Sequence, residues 1–235
     1  MRVDRPILIT GCPRSGTSMT AGIIEKCGAF GGVTAPPNDN NKRGMYENLD
    51  IRNGLVKPYL SSIGADKFCQ NPLPDIDVVM HSMEVRKDLV NKWRMKVFGV
   101  MLDHNYTQEG RWYYKDPKAC LFWPLWAAAF PKADWVIVRR NTKDIVKSCL
   151  RTSFMRAFRH ESGWLGWVDV HKERFLEMQQ ADLNVYYIWP QDWIDGDYSH
   201  IQRLIGELGL TWKEQEVREF VSPSLWKGQK GGDRS

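Results

Sequence analysis

The chain has 235 residues, 43% of them hydrophobic, and a formal net charge of +5. That length suits a single α/β domain over residues 1–235 with room for a substantial core. Its Lys and Arg are spread along the chain rather than gathered into a stripe, which argues against a nucleic-acid binder. No apolar run approaches the roughly 18 residues of a membrane span. Five widely spaced cysteines, Cys12, Cys27, Cys69, Cys120 and Cys149, predict free thiols in a reducing, cytoplasmic compartment. The N-terminus runs straight toward an apolar segment with no visible signal peptide.

The first element is a strand at 6–11, followed by a Gly-rich loop and a helix at 17–28 with Ala21, Ile23 and Ile24 on its apolar face. The spacing Gly11-x-x-x-x-Gly16-x-Ser18 is that of a phosphate-binding loop, whose backbone N–H groups and helix N-terminus cradle an anion. A nucleotide triphosphatase places Lys just after the second Gly; here that position is Thr17, and the positive charge sits earlier, at Arg14. A cysteine-phosphatase loop needs Arg six residues after its Cys, and the residue six after Cys12 is Ser18. Residues 29–45 form a Gly-, Pro- and Asn-rich loop of a length that tends to be functional or disordered. Helices are expected at 47–58 and, as one charged amphipathic element, at 76–95, while 96–110 fits either a strand or a helix end.

A strand at 111–115 runs into Lys115-Asp116-Pro117, and a helix interrupted at Pro124 follows. The stretch 133–140 has the composition of a buried strand. Asn141 or Thr142 can cap a helix over 141–154, with Asp144 in its favourable first turn. This puts Arg140 at the carboxyl end of a strand and Ser148 two turns into the next helix, the edge of an open α/β sheet where ligands bind. Arg with Ser suits a second phosphate; the competing role for Arg140 is a surface ion pair with Asp144. A helix at 163–180, a strand at 184–189, a helix at 198–209 and a loose tail at 222–235 complete the chain. Strands alternating with helices predict a parallel sheet covered on both faces. Most of the 11 tryptophans belong to the core.

Pro13-Arg14-Ser15-Gly16-Thr17-Ser18, taken with Arg140, Asn141, Asp144 and Ser148, resembles the two phosphate motifs of sulfotransferases that use 3′-phosphoadenosine 5′-phosphosulfate (PAPS). Gly44-Met45-Tyr46-Glu47-Asn48 and Lys115-Asp116-Pro117 look like elements of the bacterial and Golgi-type branch rather than of the cytosolic branch, whose His position is here Pro117. The resemblance implies a P-loop-like fold, a parallel sheet flanked by helices. It implies PAPS as donor and PAP as product, and a hydroxyl or amine acceptor on a small molecule or carbohydrate. It assigns Arg14, Ser15, Gly16, Thr17 and Ser18 to the 5′-phosphosulfate and Arg140 and Ser148 to the 3′-phosphate. The segment Lys227-Gly228-Gln229-Lys230-Gly231 is similar to one that closes over the nucleotide, which would make Lys227 and Gly228 contacts.

Sulfonate transfer needs an aligned donor, stabilisation of the leaving phosphate and removal of the acceptor proton. Arg14 and the loop amides would meet the growing charge, with Lys115 as a second cation, and fixed cations of this kind need no divalent metal. The base implied by the resemblance is Glu47, with Asp116 next and His104 third. Two other classes compete: a P-loop kinase or nucleotide phosphotransferase, which Thr17 disfavours, and a non-catalytic PAPS- or PAP-binding module.

Overall fold

Period-two alternation in short, largely apolar strands builds this fold from its centre. The computed structural model describes residues 5–39 and 41–226. Its sheet has four strands, β1 (Ile7–Gly11), β2 (Tyr113–Lys115), β3 (Asp134–Val138) and β4 (Asn184–Ile188), in the order β2-β1-β3-β4. Every pairing is parallel, with Ile9 opposite Lys115 and Val136, and Gly11 opposite Val138. Successive side chains of a strand point to opposite faces. Leu8, Tyr114, Trp135 and Ile137 therefore enter one core, and Ile7, Ile9, Tyr113, Val136, Val138 and Ile188 enter the other. Burial on both faces is what parallel strands require.

Helices cover both faces. On the second face lie α1 (Thr17–Lys26), α10 (Ser199–Glu207) and α11 (Glu214–Phe220), through Ile23, Ile24, Ile201, Leu204, Ile205 and Val217. The first face is larger. It receives α2 (Leu49–Ile51), α3 (Lys57–Ser62), α4 (Ile76–Val85), α5 (Leu89–Asp103), α6 (Trp123–Ala129) and part of α8 (Glu161–Gln180). There Trp93, Trp126, Tyr59 and Phe122 meet mostly edge to face, with Trp93 and Trp126 centroids 5.2 Å apart, a geometry the ring quadrupoles favour. A third, smaller core packs α7 (Thr142–Arg151) against α8 through Ile145, Val146, Trp164 and Trp167. The short α9 (Pro190–Ile194) follows β4.

Three local expectations change. The single helix expected at 76–95 is two, because Arg86-Lys87-Asp88 puts three charges where the stripe needs apolar residues, and Arg86 leaves helical geometry. The ambiguous 96–110 segment continues as α5 to Asp103, ended by Asn105 at φ 68°, a left-handed stop that Asn tolerates. The start of the tail is ordered: Pro223–Leu225 forms a 3₁₀ turn, and Trp226 packs back onto the molecule. Among the described residues, no helix is long and apolar enough to cross a membrane.

Candidate functional site

At the carboxyl end of β1 the chain turns into α1 through a loop that takes unusual backbone angles. Arg14 has φ 74° and Gly16, at the helix N-cap, has φ 102°. Gly16 has no side chain to cap α1, and no side-chain cap bond forms there. The first amides of a helix lack intrahelical acceptors and carry the positive end of its dipole, so this end is a set of oriented donors. Ser15 is fully buried and its Oγ has no hydrogen-bond partner. Cys12 is also buried, and burial pushes its thiol well above the usual cysteine range, the setting of an inert cysteine.

The second motif arrives at the same place. β3 pairs with β1, so the chain leaving β3 runs beside the loop. Asn141 caps α7 by accepting from the Lys143 N–H at 3.0 Å. Arg14 Nε donates to Ser148 Oγ at 3.0 Å, and Arg140 Nη1 donates to the Arg14 carbonyl at 2.8 Å. Arg140 Nε lies 4.0 Å from Asp144, but the guanidinium is buried rather than on the surface. Burial lowers the pKa of both arginines. That of Arg140 falls to about 10, since Asp144 opposes the shift while Arg14 and Arg151 add to it. Two desolvated cations side by side favour an anion between or beside them.

A third segment closes the site. Ser18 Oγ donates to the Met45 carbonyl at 3.2 Å, tying the 44–48 stretch to the first turn of α1. Glu47 follows and is buried. Its Oε1 accepts from Lys115 Nζ at 3.0 Å and its Oε2 from Arg52 Nη1 at 2.8 Å. Burial alone would raise the Glu47 pKa; the charges of Lys115 and Lys118 and the bonds from Arg52 and Lys115 override it and hold the carboxyl below its ordinary range. Lys115 comes from the end of β2 and is itself buried.

The other two proton-acceptor candidates are engaged locally. Asp116 accepts from the Lys118 N–H at 2.9 Å, the Tyr114 hydroxyl at 3.0 Å and Lys118 Nζ at 2.7 Å. Its own N–H donates to the Ile9 carbonyl, and Thr10 Oγ1 donates to the Pro117 carbonyl, so the Lys-Asp-Pro turn is fastened to β1. His104 Nδ1 accepts from the Val33 N–H at 3.0 Å, which leaves the proton on Nε2, facing Asp50 at 2.8 Å. His104 thus clamps the 29–48 loop to the end of α5.

Sequence reasoning did not single out Arg52 or Trp226. Arg52 carries no motif signal beyond being basic and five residues after Glu47. The Trp226 ring lies 4.1 Å from the Arg140 guanidinium and its Nε1 donates to Gln191 at 2.7 Å. A Cβ on Gly16 would come within 3.0 Å of that indole, so the close approach requires glycine. Lys227 and Gly228 lie outside the described residues.

Residues 6–214 match the profile described as the sulfotransferase family. The chain belongs to the sulfotransferase family, and membership carries sulfonate transfer from PAPS in general terms. Among solved structures it is similar to the sulfotransferase STF1 from Mycobacterium tuberculosis H37Rv, with TM-score 0.52 and 16% identity over 92% of this chain and 70% of that one. It is also similar to STF9 from Mycobacterium avium, with TM-score 0.54 and 13% identity over 94% and 67% of the two chains. The sulfotransferase domain of the Synechococcus PCC 7002 olefin synthase gives TM-score 0.53 and 15% identity over 97% and 81%. At such identities the likeness establishes a shared α/β fold with a central parallel sheet. Among curated proteins there is no significant match.

Proposed function

We propose that residues 1–235 act as one catalytic domain that moves a sulfonate from PAPS to a hydroxyl or amine of an acceptor. The observation that carries this reading is the junction of two distant segments: Arg14 Nε bonded to Ser148 Oγ, and Arg140 bonded to the Arg14 carbonyl. The loop Arg14, Ser15, Gly16, Thr17 and Ser18 grips the 5′-phosphosulfate in the manner of a P-loop, with the α1 amides as donors. Arg140 and Ser148 hold the 3′-phosphate. Trp226 lies over Arg140 and Gly16, which supports a nucleotide-covering role for the segment that continues into Lys227 and Gly228.

The acceptor oxygen attacks sulfur in line, and the bond from sulfur to the 5′-phosphate oxygen breaks. The acceptor proton passes to Glu47, and PAP departs with the extra negative charge. Arg14 and the loop amides stabilise that charge as it grows. Lys115 sits on the same carboxylate as Arg52, so it holds Glu47 in place and brings a second cation to the reacting group. A carboxyl kept below its ordinary range is ionised throughout the neutral region, at the expense of basic strength. Asp116, held by Tyr114 and Lys118, braces the turn that follows Lys115. Calorimetric titration with PAP, PAPS, AMP and ATP tests the donor assignment. PAP and PAPS should bind far more tightly, and equal affinity for PAP and ATP would overturn it.

A further inference from the structure

Between α2 and α3 the chain makes a π-helical turn, Arg52–Val56, in which the Lys57 N–H donates to the Arg52 carbonyl. Bonding from i to i+5 stacks Lys57 over Arg52, where an α-helix would rotate it far off that face. Asn53 links the two side chains. Asn53 Oδ1 accepts from Lys57 Nζ at 2.9 Å and from Arg52 Nε at 3.4 Å, while Arg52 reaches Glu47. Lys57 Nζ also lies 5.1 Å from the centroid of Phe68, and Lys67 Nζ lies 5.5 Å from it. Phe68 is 52% exposed. A continuous track therefore runs from Glu47 through Arg52 and Lys57 to an exposed phenyl ring flanked by two ammonium groups.

The charges along this track are unbalanced at its outer end. Glu47 answers Lys115 and Arg52, and Asp116 answers Lys118. Among the described residues neither Lys57 nor Lys67 forms an ion pair with a carboxylate. The nearby Asp66 is turned to the backbone, accepting from the Phe68 and Gln70 N–H groups. Burial lowers the Lys57 ammonium, and the charges of Arg52, Lys118 and Lys67 lower it further against the pull of Glu47.

We propose that the acceptor is anionic: it carries a carboxylate, sulfate or phosphate beside a flat apolar or sugar-ring face, with Lys57 and Lys67 binding the anion and Phe68 the face. The proposal deepens the sulfotransferase reading and rests on it, since it takes Glu47 as the reacting end of the track. The test uses pairs that differ only in charge: para-hydroxyphenylacetate against its amide, and methyl glucuronide against methyl glucoside. Each is titrated into the PAP-saturated protein by calorimetry and then assayed with labelled PAPS. The anionic member should bind more tightly, by about tenfold for two exposed ion contacts, and lose that advantage in salt. K57Q/K67Q should erase the preference while leaving the PAP Kd unchanged, and F68A should weaken both members. Equal binding of the two members, no binding by either, or an undiminished preference in K57Q/K67Q overturns the proposal. Failure of wild-type protein to bind PAP would count against the donor reading alone, and the same pairs titrated without PAP would still test the acceptor site.

Discussion

Replacing Arg140 with Ala should distinguish nucleotides by their 3′ end. The native guanidinium is buried, donates to the Arg14 carbonyl at 2.8 Å and stacks 4.1 Å from the Trp226 ring centre. Its pKa falls from 12.5 to about 10, chiefly through burial, so holding the charge there costs up to about 3 kcal/mol that a bound dianion can return. Charge-assisted hydrogen bonds of this type contribute about 1.5–3 kcal/mol, or ten- to 150-fold in affinity. The substitution also frees the Arg14 carbonyl, a loss that both PAP and AMP will feel. The diagnostic quantity is therefore the difference between the two losses, measured by calorimetry on wild-type and variant protein. PAP should lose about ten- to 150-fold more than AMP. Equal losses would mean that Arg140 only supports the loop, and the 3′-phosphate assignment would fall.

The other predictions concern chemistry and stability. Arg14→Ala should depress kcat by about 10²–10³-fold, more than it weakens PAP, and transfer should survive EDTA; unchanged turnover, or loss to chelator with rescue by magnesium, would refute the assigned role. Glu47→Gln should abolish transfer by about 10²–10⁴-fold while PAP still binds. Because Lys115 and Arg52 then lose a buried partner, it should also lower the melting temperature, an effect that Glu47→Gln with Lys115→Met should relieve without restoring activity. A near-native rate in Glu47→Gln with a dead Asp116→Asn would reassign the base to Asp116. His171 is fully buried, and burial depresses its pKa from 6.5 to about 4, with the Trp167 carbonyl opposing and Arg174 adding. A neutral buried imidazole contributes fully above the unfolded pKa, and that contribution is lost as pH falls from 6.5 toward 4, by about 3 kcal/mol in all. His171→Phe should flatten this acid slope in denaturant titrations, and an unchanged slope would show that other groups set it.

The local backbone was legible from residue order because local spacing dictates it. All four strands, the helix start at Thr17, a helix capped at Asn141 or Thr142 and the turn at Gly16 follow from apolar runs, capping residues and glycine positions, and the structure selects Asn141 as the cap. A residue's neighbours across the fold are not so encoded. That Glu47 meets Lys115 from 68 residues away, and Arg14 meets Ser148 from 134 away, depends on β1 lying between β2 and β3. No spacing rule states that strand order. The same holds for Asp116 and His104. As sequence they were polar residues near a strand end and in a loop; in the fold Asp116 accepts from Tyr114 and Lys118, and His104 accepts from Val33 and faces Asp50 with its Nε2 proton. Trp226 belonged by composition to a loose tail, and only the bare backbone of Gly16 and the face of Arg140, brought together by the sheet, give its indole a surface to cover. Residue order thus marked the two segments proposed to hold phosphate. Tertiary structure decided which side chains converge on one site, because burial and pairing across the sheet select partners that no local period can specify.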